Sequence, residues 1–210
     1  MSTQRNVNRR EAGMTLLEVM VAVTILVIVM GTLFQLAVGL GDTAQIQEIK
    51  MTSGDEARKA MIYITRDLRQ AAAGTMVGAP GATIAYRVAT DLDGNGVAVD
   101  VGGTLELGNL HTIRRDNEDL NEDGVTDDQL IVTDGDAVQV LANDLLEDED
   151  KNENGVLDPG EDANLNGVLD RGVWFERSGN AVRVTIQTQG RSRQGHLLTS
   201  RLSETVLPRN

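Results

Sequence analysis

The stretch Arg9-Arg10-Glu11-Ala12-Gly13-Met14-Thr15-Leu16-Leu17-Glu18-Val19-Met20-Val21-Ala22 leads into the part of the chain that decides its fold. From Val19 to Gly41, 23 residues pass without a charge, and the heart of the run reads VMVAVTILVIVMGTLF. Roughly 20 apolar residues cross a bilayer as a helix. Thr24, Thr32 and Gln35 are the clearly polar residues of the run, and a helix can bond a threonine hydroxyl to its own backbone. Arg5, Arg9 and Arg10 precede it against Glu11, so the short N-terminal end is expected on the cytoplasmic side of the membrane, with the rest of the chain across it. The apolar run is longer than the core of a secretory signal peptide, and no small-residue cleavage site follows it. Glu18 stands where the chain enters hydrocarbon. A carboxylate there is costly, which makes it a functional candidate.

The same residues resemble the leader and mature N-terminus of type IV prepilins. In that family a prepilin peptidase cuts after the glycine and the new N-terminus is methylated. The glutamate at the fifth mature position pairs with the terminal amine of a neighbouring subunit during assembly. The resemblance implies cleavage between Gly13 and Met14, with Glu18 as the assembly residue. Met14 stands where the family usually has Phe, and the proline common in the apolar half of major pilins is absent. Minor types therefore fit better. The apolar helix would be buried at the centre of a fibre, where a lone Glu18 is unfavourable unless paired.

Beyond the membrane run, Ile46, Ile49, Ala57, Ala60, Met61, Ile64, Leu68, Ala71 and Ala72 continue at helical spacing. Arg58, Lys59, Arg66, Asp67 and Arg69 form a polar face between them. The expected organisation is a leader over 1–13, a long helix over 14–73 (14–41 in membrane or fibre core) and a β-rich head over 74–210 with an acidic region over 91–170. Ser53-Gly54 is a candidate kink or break. Strand-like runs cover Thr83–Val88, Gln129–Thr133, Ala137–Leu141, Val173–Glu176 and Ala181–Thr188. Ser178-Gly179-Asn180 reads as a hairpin turn before the last of these. One long helix packed on an antiparallel β-sheet, with an acidic loop-rich insertion, is an α+β fold.

Three further segments resemble PilW-type minor pilins and the J-type pseudopilins of type II secretion. They are the helix-end run Arg66-Asp67-Leu68-Arg69-Gln70-Ala71, the late β-run Ala181–Thr188, and the ending Leu202-Ser203-Glu204-Thr205-Val206-Leu207-Pro208-Arg209-Asn210.

The net charge of -13 is unevenly distributed. Asp91 through Asp170 carries 23 acids and 3 bases, a net of -20, while the remaining residues carry 16 bases and 9 acids, a net of +7. Such a chain is not expected to bind nucleic acid, whose affinity comes from lysine and arginine neutralising phosphates. The absence of cysteine excludes disulfides, thiolate metal sites and cysteine nucleophiles.

The acidic region repeats one pattern. Asp150-Lys151-Asn152-Glu153-Asn154-Gly155-Val156-Leu157-Asp158-Pro159-Gly160-Glu161 places oxygen side chains at positions 1, 3, 5, 9 and 12, glycine at 6 and a main-chain carbonyl at 7 (Val156). Ca2+ takes six to eight oxygens, and this spacing curls a chain around one ion. The pattern recurs at once as Asp162, Asn164, Asn166, Gly167, Val168 and Asp170, with Val173 in place of the final acid; Glu161 or Asp162 is a candidate shared ligand. Upstream lie Asp119, Asn121, Asp123, Gly124, Val125 and Asp127, with Leu130 at position 12, and the half-copy Asp91, Asp93, Asn95 and Gly96. The repeat resembles the calcium loops of dockerins and thrombospondin-type modules. Flanking EF-hand helices are not expected beside Pro159 and so many Gly and Asn residues. Without the ion, the region should repel itself and stay loose.

Enzyme readings fare poorly. Asp91-Leu92-Asp93-Gly94 resembles the nucleophile loop of haloacid-dehalogenase-type phosphatases, but βαβ alternation is missing. Nucleophile-elbow, zincin and P-loop motifs are absent. His111 and His196 are expected at the surface or at strand edges. The expectation is therefore a non-enzymatic subunit: a minor pilin with calcium-stabilised head loops, whose partners are prepilin peptidase, other pilins or pseudopilins and the inner membrane. The alternatives are a J-type pseudopilin, a pilus-borne calcium-dependent adhesin with a surface receptor, and an anchored calcium-binding protein that never assembles.

Overall fold

A computed structural model describes residues 14–126, 128–152, 155–163, 165, 167–192, 195 and 197–208. Gly13 and His196 therefore lie outside the described residues. Helix α1 covers Leu16–Gln70 and is followed by a short 3₁₀ turn, Ala73–Thr75. Seven strands follow: β1 Ile84–Ala89, β2 Leu107–Arg115, β3 Leu130–Asp134, β4 Ala137–Ala142, β5 Val173–Ser178, β6 Ala181–Arg191 and β7 Leu197–Val206. The chain divides into two compact units at Gln45/Ile46.

In the first unit the helix begins with a reciprocal cap. The Thr15 backbone N–H donates to Glu18 Oε2 at 2.9 Å, and the Glu18 N–H donates to Thr15 Oγ1 at 3.3 Å. Thr-x-x-Glu is the capping-box pattern, in which two orphan N–H groups of the first turn are satisfied at once. Thr24 and Thr32 donate their hydroxyls to Met20 O and Val29 O, both at 2.8 Å. Their polar groups are thus satisfied within the helix. The helix contains a window long and apolar enough to cross a membrane, with mean hydropathy 2.5, and none of that window is buried.

In the second unit, the later part of α1 presents Ala57, Ala60, Met61, Ile64, Leu68 and Ala71 to one core. The spacing of three and four residues puts them on one face. Complete burial of Ile64 and Leu68 contributes about 2 kcal/mol each. The helix is continuous through Ser53 and Gly54, so the expected break is not there. Instead the Ser53 hydroxyl lies 2.9 Å from Thr188 Oγ1 in a buried pair, and Thr188 also donates to Ser53 O at 2.8 Å. Thr188→Val keeps the shape and removes both bonds. Loss of about 1–2 kcal/mol is expected in urea unfolding.

The strands form two antiparallel sheets where one was expected: β1-β2-β3-β4 and β5-β6-β7. Both contribute to the core, through Ile84, Tyr86, Ile113 and Val132 from the first sheet and Phe175, Val184, Ile186 and Val206 from the second. The hairpin turn expected at Ser178-Gly179-Asn180 joins β5 to β6, with Gly179 at φ +60°. The sequence reading missed β2. His111 lies within β2, an interior strand, and not at an edge. Its ring stacks on buried Tyr86 at 5.5 Å between centroids.

Candidate functional site

The acidic loops are the strand connections of the head. The Asp91 loop joins β1 to β2, the Asp119 loop joins β2 to β3, and the Asp150 and Asp162 loops both lie between β4 and β5. Antiparallel pairing places the Asp119 loop and the start of the β4–β5 connection at the same end of the first sheet.

One device recurs in all four. The glycine at the sixth position takes a left-handed φ of +88° at Gly96, +83° at Gly124, +80° at Gly155 and +72° at Gly167. Its N–H donates back to the first aspartate. The distances are 2.8 Å to Asp91 Oδ2, 3.2 Å to Asp119 Oδ1, 3.0 Å to Asp150 Oδ2 and 2.9 Å to Asp162 Oδ2. Glycine adopts this conformation without the penalty a Cβ brings.

In the first loop, carboxylate oxygens of Asp91, Asp93 and Glu106 lie within 4.8 Å of one another. Glu106, just before β2, also accepts the Leu92 N–H at 2.6 Å. The Asn95 N–H donates to Asp93 Oδ1 at 3.0 Å. The Gly96 N–H, ahead of the other donors, holds the Asp91 carboxyl below its usual range.

In the second loop, buried Gln129 organises the ligand candidates. Its Nε2 donates to Asp123 Oδ2 at 2.8 Å, and its Oε1 accepts from Asn121 Nδ2 at 2.9 Å. That amide is the main cause holding the Asp123 carboxyl low. Asn121 Oδ1 is left buried with no partner. Val125 donates its N–H to Asp123 Oδ1. Asp127 lies outside the described residues.

The third and fourth loops enclose a group of buried carboxylates: Glu149, Asp150, Glu161 and Asp170 are 3%, 3%, 8% and 5% exposed. Asn152 Nδ2 donates to Asp158 Oδ2 at 2.8 Å, and the Asp158 N–H donates to Glu161 Oε2 at 3.0 Å. Asp150 Oδ2 is ion-paired with Arg171 at 2.8 Å, while Asp150 Oδ1 is buried without a partner. The Arg171 guanidinium lies 3.6 Å from the ring centre of Trp174, the one tryptophan of the chain. Asp170 Oδ1 accepts from Gln187 Nε2 at 2.8 Å. Burial pushes the Asp148 carboxyl up. Val156 and Val168, at the carbonyl positions, have exposed side chains. Asn154, Asn164 and Asn166 lie outside the described residues.

Among the described residues, the two buried side-chain oxygens without a partner are Asn121 Oδ1 and Asp150 Oδ1. They fall at positions 3 and 1 of two loops read from sequence as calcium loops. Open, buried oxygen acceptors in an all-oxygen donor set suit a hard cation. Sequence reasoning missed Glu106, Gln129, Glu149 and Arg171. Strand pairing alone brings Glu106 and Gln129 to their loops, and no local pattern marks them.

A cleft of about 1340 Å³ lies elsewhere, at the C-terminal end of α1 beside Arg66, Arg69 and Arg177. Arg66 and Arg69 are ion-paired with Asp67 and Glu204. Arg177 donates to the Ala73 and Met76 carbonyls.

At the other end of the chain, Met14 and Glu18 are exposed on the first unit. The prokaryotic N-terminal methylation motif matches residues 8–34. The N-terminus is thus of the prepilin type, and the motif implies processing by prepilin peptidase and assembly with other pilins. No curated protein and no solved structure matches the chain.

Proposed function

We propose that the chain is a minor pilin of a type IV pilus. It is held in the inner membrane by the apolar part of α1 and assembled through that helix and Glu18. The observation that carries this reading is the prepilin-type motif over 8–34 running into a helix whose most apolar window is wholly exposed. Such a surface needs lipid or other helices around it. The absence of proline from the apolar run favours a minor over a major subunit.

The head loops hold Ca2+ in this reading. Asp150, Asn152, Asn154, Val156, Asp158 and Glu161 form one site. Asp162, Asn164, Asn166, Val168 and Asp170 form the next. Asp119, Asn121, Asp123, Val125 and Asp127 form a third, and Asp91, Asp93 and Asn95 with Glu106 a fourth. The buried open oxygens of Asp150 and Asn121 support it.

The membrane-extracted protein tests the assembly role by intact mass, wild type beside Gly13→Asp. A wild-type chain beginning at N-methylated Met14, with the variant uncut, is expected. Uncut chains in both would overturn the reading. A strain lacking the protein that keeps its pili but no longer exports folded proteins would place the chain among the J-type pseudopilins.

A further inference from the structure

We infer that the third and fourth acidic loops bind their two cations as one cooperative unit, with Glu149 as the residue that couples them. This rests on the calcium reading and adds a regulation that the repeat pattern does not contain.

Glu149 immediately precedes the first ligand position of the third loop, yet its side-chain bonds go to the fourth. Its Oε1 accepts the Ala163 N–H at 3.0 Å, and its Oε2 accepts the Asp170 N–H at 3.1 Å. Its own N–H donates to Asp170 O at 2.9 Å. Ala163 and Asp170 are positions 2 and 9 of the fourth loop. One buried side chain therefore fixes both ends of that loop to the residue that precedes Asp150. Asp150 is itself primed, because its Oδ1 has no partner in a side chain only 1% exposed. An ion taken up through that oxygen orders the Glu149–Asp150 segment. The same bonds then hold Ala163 and Asp170 in place, so the second ion meets a loop whose ordering cost has already been met. Linkage makes the effect mutual.

Glu149 is a positioning residue in this inference: it lies outside the twelve positions of either loop, and both its oxygens accept backbone N–H groups of the fourth. A carboxylate suits the place because it accepts at both oxygens. Glutamine would turn an N–H₂ group toward one of the two N–H donors.

The full-length protein in detergent micelles provides the test. Trp174 reports the third loop, because its ring lies against the guanidinium bound to Asp150. Ca2+ is titrated while Trp174 fluorescence is followed, and equilibrium dialysis counts bound ions. The wild type is expected to give a steep transition with a Hill coefficient of about 1.5–2. Glu149→Gln is expected to flatten it to about 1 and raise the midpoint roughly 10-fold, the size typical of losing a residue that orients metal ligands. Should Glu149→Gln fail to fold by circular dichroism, Asn166→Ala, at the fifth position of the fourth loop, must also flatten and shift the Trp174 transition. A wild-type Hill coefficient of 1 with both ions bound would overturn the coupling and leave calcium binding intact. A Trp174 curve unchanged by Asn166→Ala would do the same. No calcium retained by the wild type in dialysis would instead remove the calcium reading itself.

Discussion

Gly172→Val is expected to destabilise the head by about 3 kcal/mol, through steric overpacking together with a strained backbone. Gly172 sits at φ +43° in the one-residue gap between Arg171 and β5. A Cβ there would overlap the Arg115 guanidinium and stand 2.5 Å from Leu146 O. The guanidinium cannot simply swing away, because it donates to that same carbonyl. Gly172 O also accepts the Gln187 N–H at 2.6 Å, which ties the position to β6. Thermal melting should show a midpoint lower by roughly 6–12 °C for a unit of this size. A shift under 2 °C would mean that the close approach of Arg115 and Leu146 to this residue is wrong.

Calcium is expected to have the second large effect. If the sites bind at about 10⁻⁴–10⁻³ M, as extracellular modules do, then 10 mM calcium stabilises the head by roughly 1.4–2.7 kcal/mol per site. Two occupied sites would raise the melting midpoint by about 6–20 °C over a chelator-treated sample. The region from Asp91 to Asp170 carries -20, so part of any effect would be plain screening. Sodium chloride at matched ionic strength measures that part. Magnesium is expected to give no more than the salt control, since it demands tighter octahedral geometry. Equal melting in calcium, chelator and salt would remove the ion from the account of the head.

Much of this was legible in the sequence because it is periodic. The apolar face from Ala57 to Ala71 repeats every three or four residues, and β6 alternates Val182, Val184 and Ile186 inward. β2 was missed because LGNLHTIRR does not alternate, and Ile113 is its one buried residue. Hydrogen bonds to β1 and β3 on both sides make it a strand. Ser53-Gly54 looked like a break because small residues weaken a helix. Contact with Thr188 of β6 gives Ser53 its place, while a Cβ at Gly54 would meet only Ser200 Oγ at 3.7 Å. In the loops, the aspartates, asparagines and glycines were readable as a spacing. Gln129 and Glu149 were not, because each acts through one buried hydrogen-bonded placement that tertiary structure alone supplies.

The cap at the start of α1 bears on how subunits enter and leave a fibre. The carboxylate assigned to a neighbour's amine already serves its own chain, accepting the Thr15 N–H and hydroxyl. In the proposed fibre, both cap bonds fall on Oε2, so a neighbour's amine can be met at the other oxygen without undoing the cap. Docking then adds a donor to a carboxylate already held in place. Glu18→Gln, which can still cap the helix but carries no charge, would separate the resting cap from the docked pair.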